Sequence, residues 1–248
     1  MAESAMQIDP TAEISIDTVK KRAVAGVAIL TGRTFLIQAI SLIATALLTI
    51  LLDPAQYGVF FLVSAVINFL AYFGDIGFAA SLIQKKEKLT DLDLKTIFTI
   101  QQILIILIIF LIVTITPFIK SIYGFADEAV FLLWALSFSL FLSSLKTIPS
   151  VLMERKLEFN KLVIPQIVET IIFNLTAVYL AWRGFGITSF TIAALLRGVF
   201  GLIVTYILEP WLPQLIISGK ALKSLLKFGI PYQLNTLLAM VKDDGMTL

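Results

Sequence analysis

Apolar residues in this chain do not alternate, nor do they recur on one helical face; they run on without interruption. A helix needs about 20 mostly apolar residues to cross the hydrocarbon core of a bilayer. Six stretches reach that length, roughly residues 24–52, 57–83, 96–119, 129–145, 162–182 and 184–208. A seventh starts near Phe228 and runs to Val241, where Lys242, Asp243 and Asp244 interrupt it. The pattern predicts an all-α integral membrane fold, a bundle of about six transmembrane helices plus the start of a seventh. The first run is too long for a secretory leader and lacks an A-x-A cleavage site, so it reads as a retained span.

The polar positions between the runs carry a second signal. Of the 19 Lys and Arg residues, 14 fall in every other loop: Lys20 to Arg22, Lys85 to Lys95, Lys146 to Lys161 and Lys220 to Lys227. The alternate loops hold only Lys120 and Arg183. Basic loops stay on the cytoplasmic side. The N-terminus is therefore expected in the cytoplasm of a cell carrying the chain as a multi-pass protein of its cytoplasmic membrane. The alternation also checks the span count, since a missed span would scramble it.

These signals divide the chain into a cytoplasmic arm (1–22), a six-helix lobe (23–208), a cytoplasmic linker (209–227) and the start of a seventh span (228–248). In the arm, Asp17 is placed to cap a short amphipathic helix through Lys20, Lys21 and Arg22; a disordered tail up to Ile14 is the other reading. Pro210 and Pro213 end the sixth helix. Residues 221–227 then read as a short basic helix on the membrane surface. Leu222, Leu225 and Leu226 would face lipid, and Lys220, Lys223 and Lys227 would meet anionic headgroups.

Composition narrows the chemistry. Charged residues are 15% of the chain and hydrophobic residues 58%, against about 25% charged in soluble domains. There is no His and no Cys, which removes the commonest general base, the commonest metal ligand and any disulfide. No G-x-x-x-x-G-K-[ST] motif occurs, which argues against direct ATP drive. A non-enzymatic protein with no cofactor, no metal and no nucleic-acid partner is expected. A membrane-embedded transferase would need paired carboxylates, and the adjacent Asp127 and Glu128 read as a solvated loop.

A charge inside the hydrocarbon costs at least about 2.5 kcal/mol, so each one is a functional candidate. Arg33 and Arg197 sit near mid-depth, Glu169 in the cytoplasmic third, and Asp75 near the cytoplasmic interface. Thr31, Thr34, Gln38, Ser41, Thr45 and Thr49 share a stripe on the first span, with Arg33 beside it. Ser64, Asn68, Tyr72 and Asp75 share one on the second; Gln166, Glu169 and Thr176 cluster on the fifth. Ala193, Ala194 and Gly201 leave room around Arg197. Such stripes suggest a hydrated cavity, because lipid cannot satisfy them. Packing glue and structural ion pairs are the competing reading, with Glu169 the natural partner of either Arg. Gln101 and Gln102 read as interfacial.

Several local patterns occur in order. They are Leu52-Asp53-Pro54-Ala55-Gln56-Tyr57-Gly58, Asp75-Ile76-Gly77-Phe78, Met153-Glu154-Arg155-Lys156-Leu157-Glu158-Phe159, and Arg183-Gly184-Phe185-Gly186. Trp211 with Pro213, then Leu225-Leu226-Lys227-Phe228-Gly229, complete the set. Over residues 18–248 the sequence resembles the polysaccharide transporter (oligosaccharide flippase) family, whose superfamily also includes multidrug extruders and lipid II flippases. Ile50 stands where that family often has Arg, and Gln56 replaces a common acidic residue. The resemblance implies two similar lobes of about six spans each, of which this chain would be the first, an N-terminal fragment. It also implies a polyprenyl-pyrophosphate-linked glycan as substrate, moved across the membrane for surface polysaccharide or lipopolysaccharide biosynthesis. Arg33 and Arg197, with Gln38, Ser41 and Asn68, are the expected substrate contacts; Glu169 and Asp75 are the expected coupling or ion-pair residues. Expected partners are the lipid-linked oligosaccharide, membrane lipids, and a second lobe or another copy. A multidrug or organic-cation antiporter and a non-transporting scaffold are the alternatives.

Overall fold

A computed structural model describes residues 16–74, 77–84, 89–124, 126–219, 222–223 and 231. They form eight helices: α1 Ile16–Leu51, α2 Pro54–Gly74, α3 Phe78–Gln84, α4 Asp91–Tyr123, α5 Asp127–Leu145, α6 Thr147–Arg155, α7 Phe159–Trp182 and α8 Thr188–Leu208. Six of these, all but α3 and α6, are long and apolar enough to cross a membrane. No strand occurs among the described residues. The expected surface helix at 221–227 and seventh span lie almost wholly outside the described residues.

Local chemistry explains the boundaries. Pro54 opens α2, where a missing N–H is harmless. The Gln56 Oε1 reaches back to accept from the Asp53 N–H at 3.3 Å. Either Gln or Glu serves at that position of a capping box, so Gln56 keeps the role an acidic residue would have. Thr90 and Asp93 form a complete capping box at the start of α4: Thr90 Oγ1 accepts from the Asp93 N–H at 3.2 Å, and Asp93 Oδ2 from the Thr90 N–H at 3.0 Å. This box starts α4 at Asp91, earlier than the apolar run does.

Two expectations are corrected. The run at 57–83 is not one span. α2 ends at Gly74, Gly77 adopts φ 66°, and α3 starts anew. Hydropathy does not register that break, because Phe78 to Ile83 is as apolar as the span before it. The segment 147–155, read as loop, folds as α6.

The helices pack as a succession. α1 lies along α7, α7 along α8, α8 along α5, and α5 along α2 and α4. α1 and α2 barely touch, so α1 leans on the lobe through α7. Lipid is as apolar as Leu, so close contact rather than hydrophobic burial holds membrane helices together. The small residues of α8 provide that contact: Gly198 faces Leu142 and Ser139 of α5, and Gly201 faces Glu169 of α7. One core gathers Leu48, Leu52, Val63, Ile112, Leu133 and Phe190 near the α1–α2 turn. There Phe60 stacks on Phe190 with ring centroids 4.0 Å apart. A second core lies at the opposite end, where Phe78 and Leu82 of α3 meet Phe98 of α4, Ile148 and Leu152 of α6, and Trp211. Arg155 ties this cap down by donating to the carbonyls of Leu82 and Ile83 at 2.6 and 3.2 Å, covering the open end of α3.

A cationic cluster around Glu169

α7 and α8 run antiparallel, which brings their polar residues level. Glu169 lies ten residues past the start of α7 and Arg197 eleven before the end of α8, or about 15 Å in from the same end at 1.5 Å per residue. Gly201, one turn beyond Arg197, makes room for the Glu169 carboxylate; a Cβ there would overlap it. The third member comes from the end of α5. Lys146 Nζ forms an ion pair with Glu169 Oε1. The Arg197 Nε approaches Glu169 Oε2 at only 3.6 Å. Lys146 and Glu169 side chains are each 12% exposed, whereas Arg197 is 51% exposed. Its guanidinium also lies over the Phe173 ring, 5.8 Å from the centroid, a cation–π contact.

Arg33 joins from α1. Its Nη1 donates to Gln166 Oε1 at 2.5 Å and its Nη2 to Thr34 Oγ1 at 3.3 Å; its Nε is buried without a partner. Gln166 and Glu169 are three residues apart on α7 and share a face. Pro165 precedes them inside the helix and leaves a carbonyl of the previous turn without its usual donor.

Lys146, Ser150, Glu154, Gln166, Glu169 and Arg197 line one cavity of about 430 Å³. Glu154 comes from α6, and its carboxylate has no hydrogen-bond or ion-pair partner among the described residues. Burial raises its carboxyl above the usual value. Three cations, Lys146, Arg197 and the adjoining Arg33, thus face two carboxylates. A guanidinium that is half exposed and weakly held is suited to a bidentate grip on an anion.

The structure brings together Arg33, Arg197 and Glu169, with Gln166. Arg33 meets Gln166 rather than a carboxylate, and Glu169 is held mainly by Lys146. The sequence position of Lys146 predicts a cytoplasmic loop. A long side chain at a span end can turn inward as readily as outward, and only the location of Glu169 decides which. Gln38 and Asn68 are exposed on α1 and α2, Ser41 is half-buried, and none of the three lines the cavity. Thr34 and Thr49 donate to their own helix, to Leu30 O at 2.9 Å and Thr45 O at 2.8 Å. Asp75 lies outside the described residues. Gln101 and Gln102, expected at the interface, are instead buried between α4 and its neighbours. Gln101 Nε2 donates to Thr147 Oγ1 at 3.0 Å, and Gln102 Oε1 accepts from Ser144 Oγ at 3.1 Å. The cap of α3 and α6 extends the protein past them.

Two solved structures resemble the fold. One is the outward-facing conformation of a multidrug resistance MATE family transporter of the MOP superfamily, at 18% identity and TM-score 0.60, covering 86% of this chain and 52% of that one. The other is a crystal structure of a MATE mutant, at 18% identity and TM-score 0.55, covering 86% and 53%. The chain spans about half the length of each. No curated protein matches it. A family model described as polysaccharide biosynthesis protein matches residues 47–248, most of the lobe and all that follows it. By that match, the chain belongs to the polysaccharide biosynthesis protein family.

Proposed function

We propose that the protein is a transporter that flips a polyprenyl-pyrophosphate-linked oligosaccharide across the cytoplasmic membrane, with Arg197 and Arg33 receiving the pyrophosphate. The observation that carries this reading is Arg197. It is half exposed into the cavity, and the one carboxylate that contacts it among the described residues, Glu169, is already held by Lys146. Family membership and a fold shared with transporters support the same reading. An anion arriving at the cavity takes the guanidinium fork while Lys146 keeps Glu169 neutralised, so no buried carboxylate is left uncompensated. The apolar tail stays in lipid and the sugars meet the hydroxyl-bearing stripes. The positive-inside pattern supports a cavity on the cytoplasmic side. A second lobe, or a second copy, completes the pathway, and the two lobes rock about the site.

The test is flipping of a polyprenyl-pyrophosphate-linked glycan in proteoliposomes. Arg197→Gln is expected to lower the rate by on the order of a hundredfold, and Arg197→Lys by less, since Lys keeps the charge and loses the fork. Wild-type rates in both Arg197→Gln and Arg33→Gln would refute the assignment. A second reading, organic-cation antiport, is favoured by the multidrug transporter among the fold neighbours. Export of a cationic dye, lost on Glu169→Gln but kept in Arg197→Gln, would select it.

A further inference from the structure

We propose that Glu154 is a proton-binding group that sets the anion affinity of this cavity, so that anion and proton bind together. The inference rests on the anion-site reading above and adds its regulation. Glu154 shares the cavity with Lys146, Glu169 and Arg197, yet it is the one carboxylate there without a partner among the described residues.

The other charged and titratable groups near α6 are engaged elsewhere. On α6 itself and its end, Arg155 serves the carbonyls of Leu82 and Ile83, and Lys156 pairs with Glu209 at 2.6 Å. From α7, Lys161 pairs with Glu158 at 2.8 Å. From α8, the Tyr206 hydroxyl donates to Leu145 O at 3.1 Å. From α4, Lys95 pairs with Asp91, and Asp93 caps its helix. α3 carries no titratable residue. Among the described residues, the charged groups that share a cavity with Glu154 are Lys146, Glu169 and Arg197.

Ionised, Glu154 is a second negative charge on the wall of the cavity that Arg197 also lines. It repels an arriving anion. Protonated, it leaves Lys146, Arg197 and Arg33 facing Glu169 alone, and the positive charge of the cluster rises by one. Burial already disfavours the ionised form, so the proton is taken up at a higher pH than by a glutamate in water. The proton comes from solvent and moves to a Glu154 carboxylate oxygen as the anion enters; it leaves again when the anion does. Linkage then makes anion affinity constant below the raised pKa of Glu154. Affinity falls by up to about tenfold per pH unit above it.

The experiment is calorimetric titration of the full chain in detergent with sulfate, a dianion throughout the range from about pH 5 to pH 8. Buffers of different ionisation heat report the protons taken up per sulfate bound. The wild type is expected to take up as much as one proton per sulfate and to lose affinity as pH rises. Glu154→Gln is expected to bind with the low-pH affinity at every pH and to take up none. Binding without proton uptake in the wild type, or uptake retained in Glu154→Gln, overturns the proposal. If that binding is nevertheless lost in Arg197→Gln, the anion site itself stands. Absence of sulfate binding at every pH overturns the anion site and this inference together.

Discussion

At the scale of single residues, the cavity is organised by one carboxylate with more than one claimant. Removing one partner of a buried ion pair is expensive because the other is left charged in a poor solvent, whereas replacing both with apolar groups costs little. Lys146 and Glu169 are each 12% exposed, so Glu169→Gln should destabilise the protein by about 3 kcal/mol. The paired change Lys146→Met with Glu169→Leu should restore most of it. Thermal unfolding in detergent, read as a double-mutant cycle, measures the coupling. Additive effects of the two single changes would show that the pair contributes nothing. The Arg197 guanidinium, at 51% exposure, stays outside this ledger, because solvent screens what little the 3.6 Å contact provides. Residue chemistry alone pointed to Arg33, Glu169 and Arg197, since any charge in a span draws notice. It did not point to Glu154, which lies in a stretch that reads as an ordinary basic loop.

At the scale of elements, the turns that aim α7 and α8 at each other differ in how visibly they are written. α7 ends in a Schellman turn, with Phe185 N donating to Leu180 O at 3.1 Å, Gly184 N to Ala181 O at 2.9 Å, and Gly184 at φ 82°. The Arg183-Gly184-Phe185-Gly186 pattern announces it, because a glycine past the last helical turn is the usual sign. α6 ends in the same way, with Glu158 N donating to Met153 O and Leu157 N to Glu154 O, both at 3.0 Å, but its left-handed residue is Leu157 at φ 55°. A side chain in that conformation costs roughly 1–2 kcal/mol. Gly184→Ala should therefore destabilise by about 1 kcal/mol, while Leu157→Gly should not destabilise at all. Chemical or thermal unfolding of both variants checks the contrast; equal losses in the two would mean that the backbone there is not held as described. A Leu in a cap position sends no signal in sequence, and so the turn beside Glu154 was legible only as part of a family pattern.

At the scale of the whole molecule, direction depends on which end of the lobe faces the cytoplasm. From the basic loops, the end bearing α3 and α6 is expected on that side. The chain contains no Cys, so single cysteines can be introduced without removing others. Asp127→Cys should react with a membrane-impermeant maleimide added to intact cells, and Asn160→Cys only after permeabilisation. The reverse pattern would put the cavity on the outer side and the proposed direction of transport would fail. The sequence alone settled that the chain is a membrane protein and, nearly, where its six long helices lie. A span is recognised by its own length and polarity, and loop charge by a simple count; neither depends on what packs nearby. It missed the break at Gly77, the helix α6, the burial of Gln101 and Gln102, and the turn of Lys146 toward Glu169. Each of these depends on a neighbour far away in the chain. An apolar stretch is equally content in lipid or protein, and a flexible cation goes wherever its carboxylate is. Only the packed arrangement of α5, α6, α7 and α8 places a carboxylate within reach of Lys146 and leaves Arg197 half free beside it.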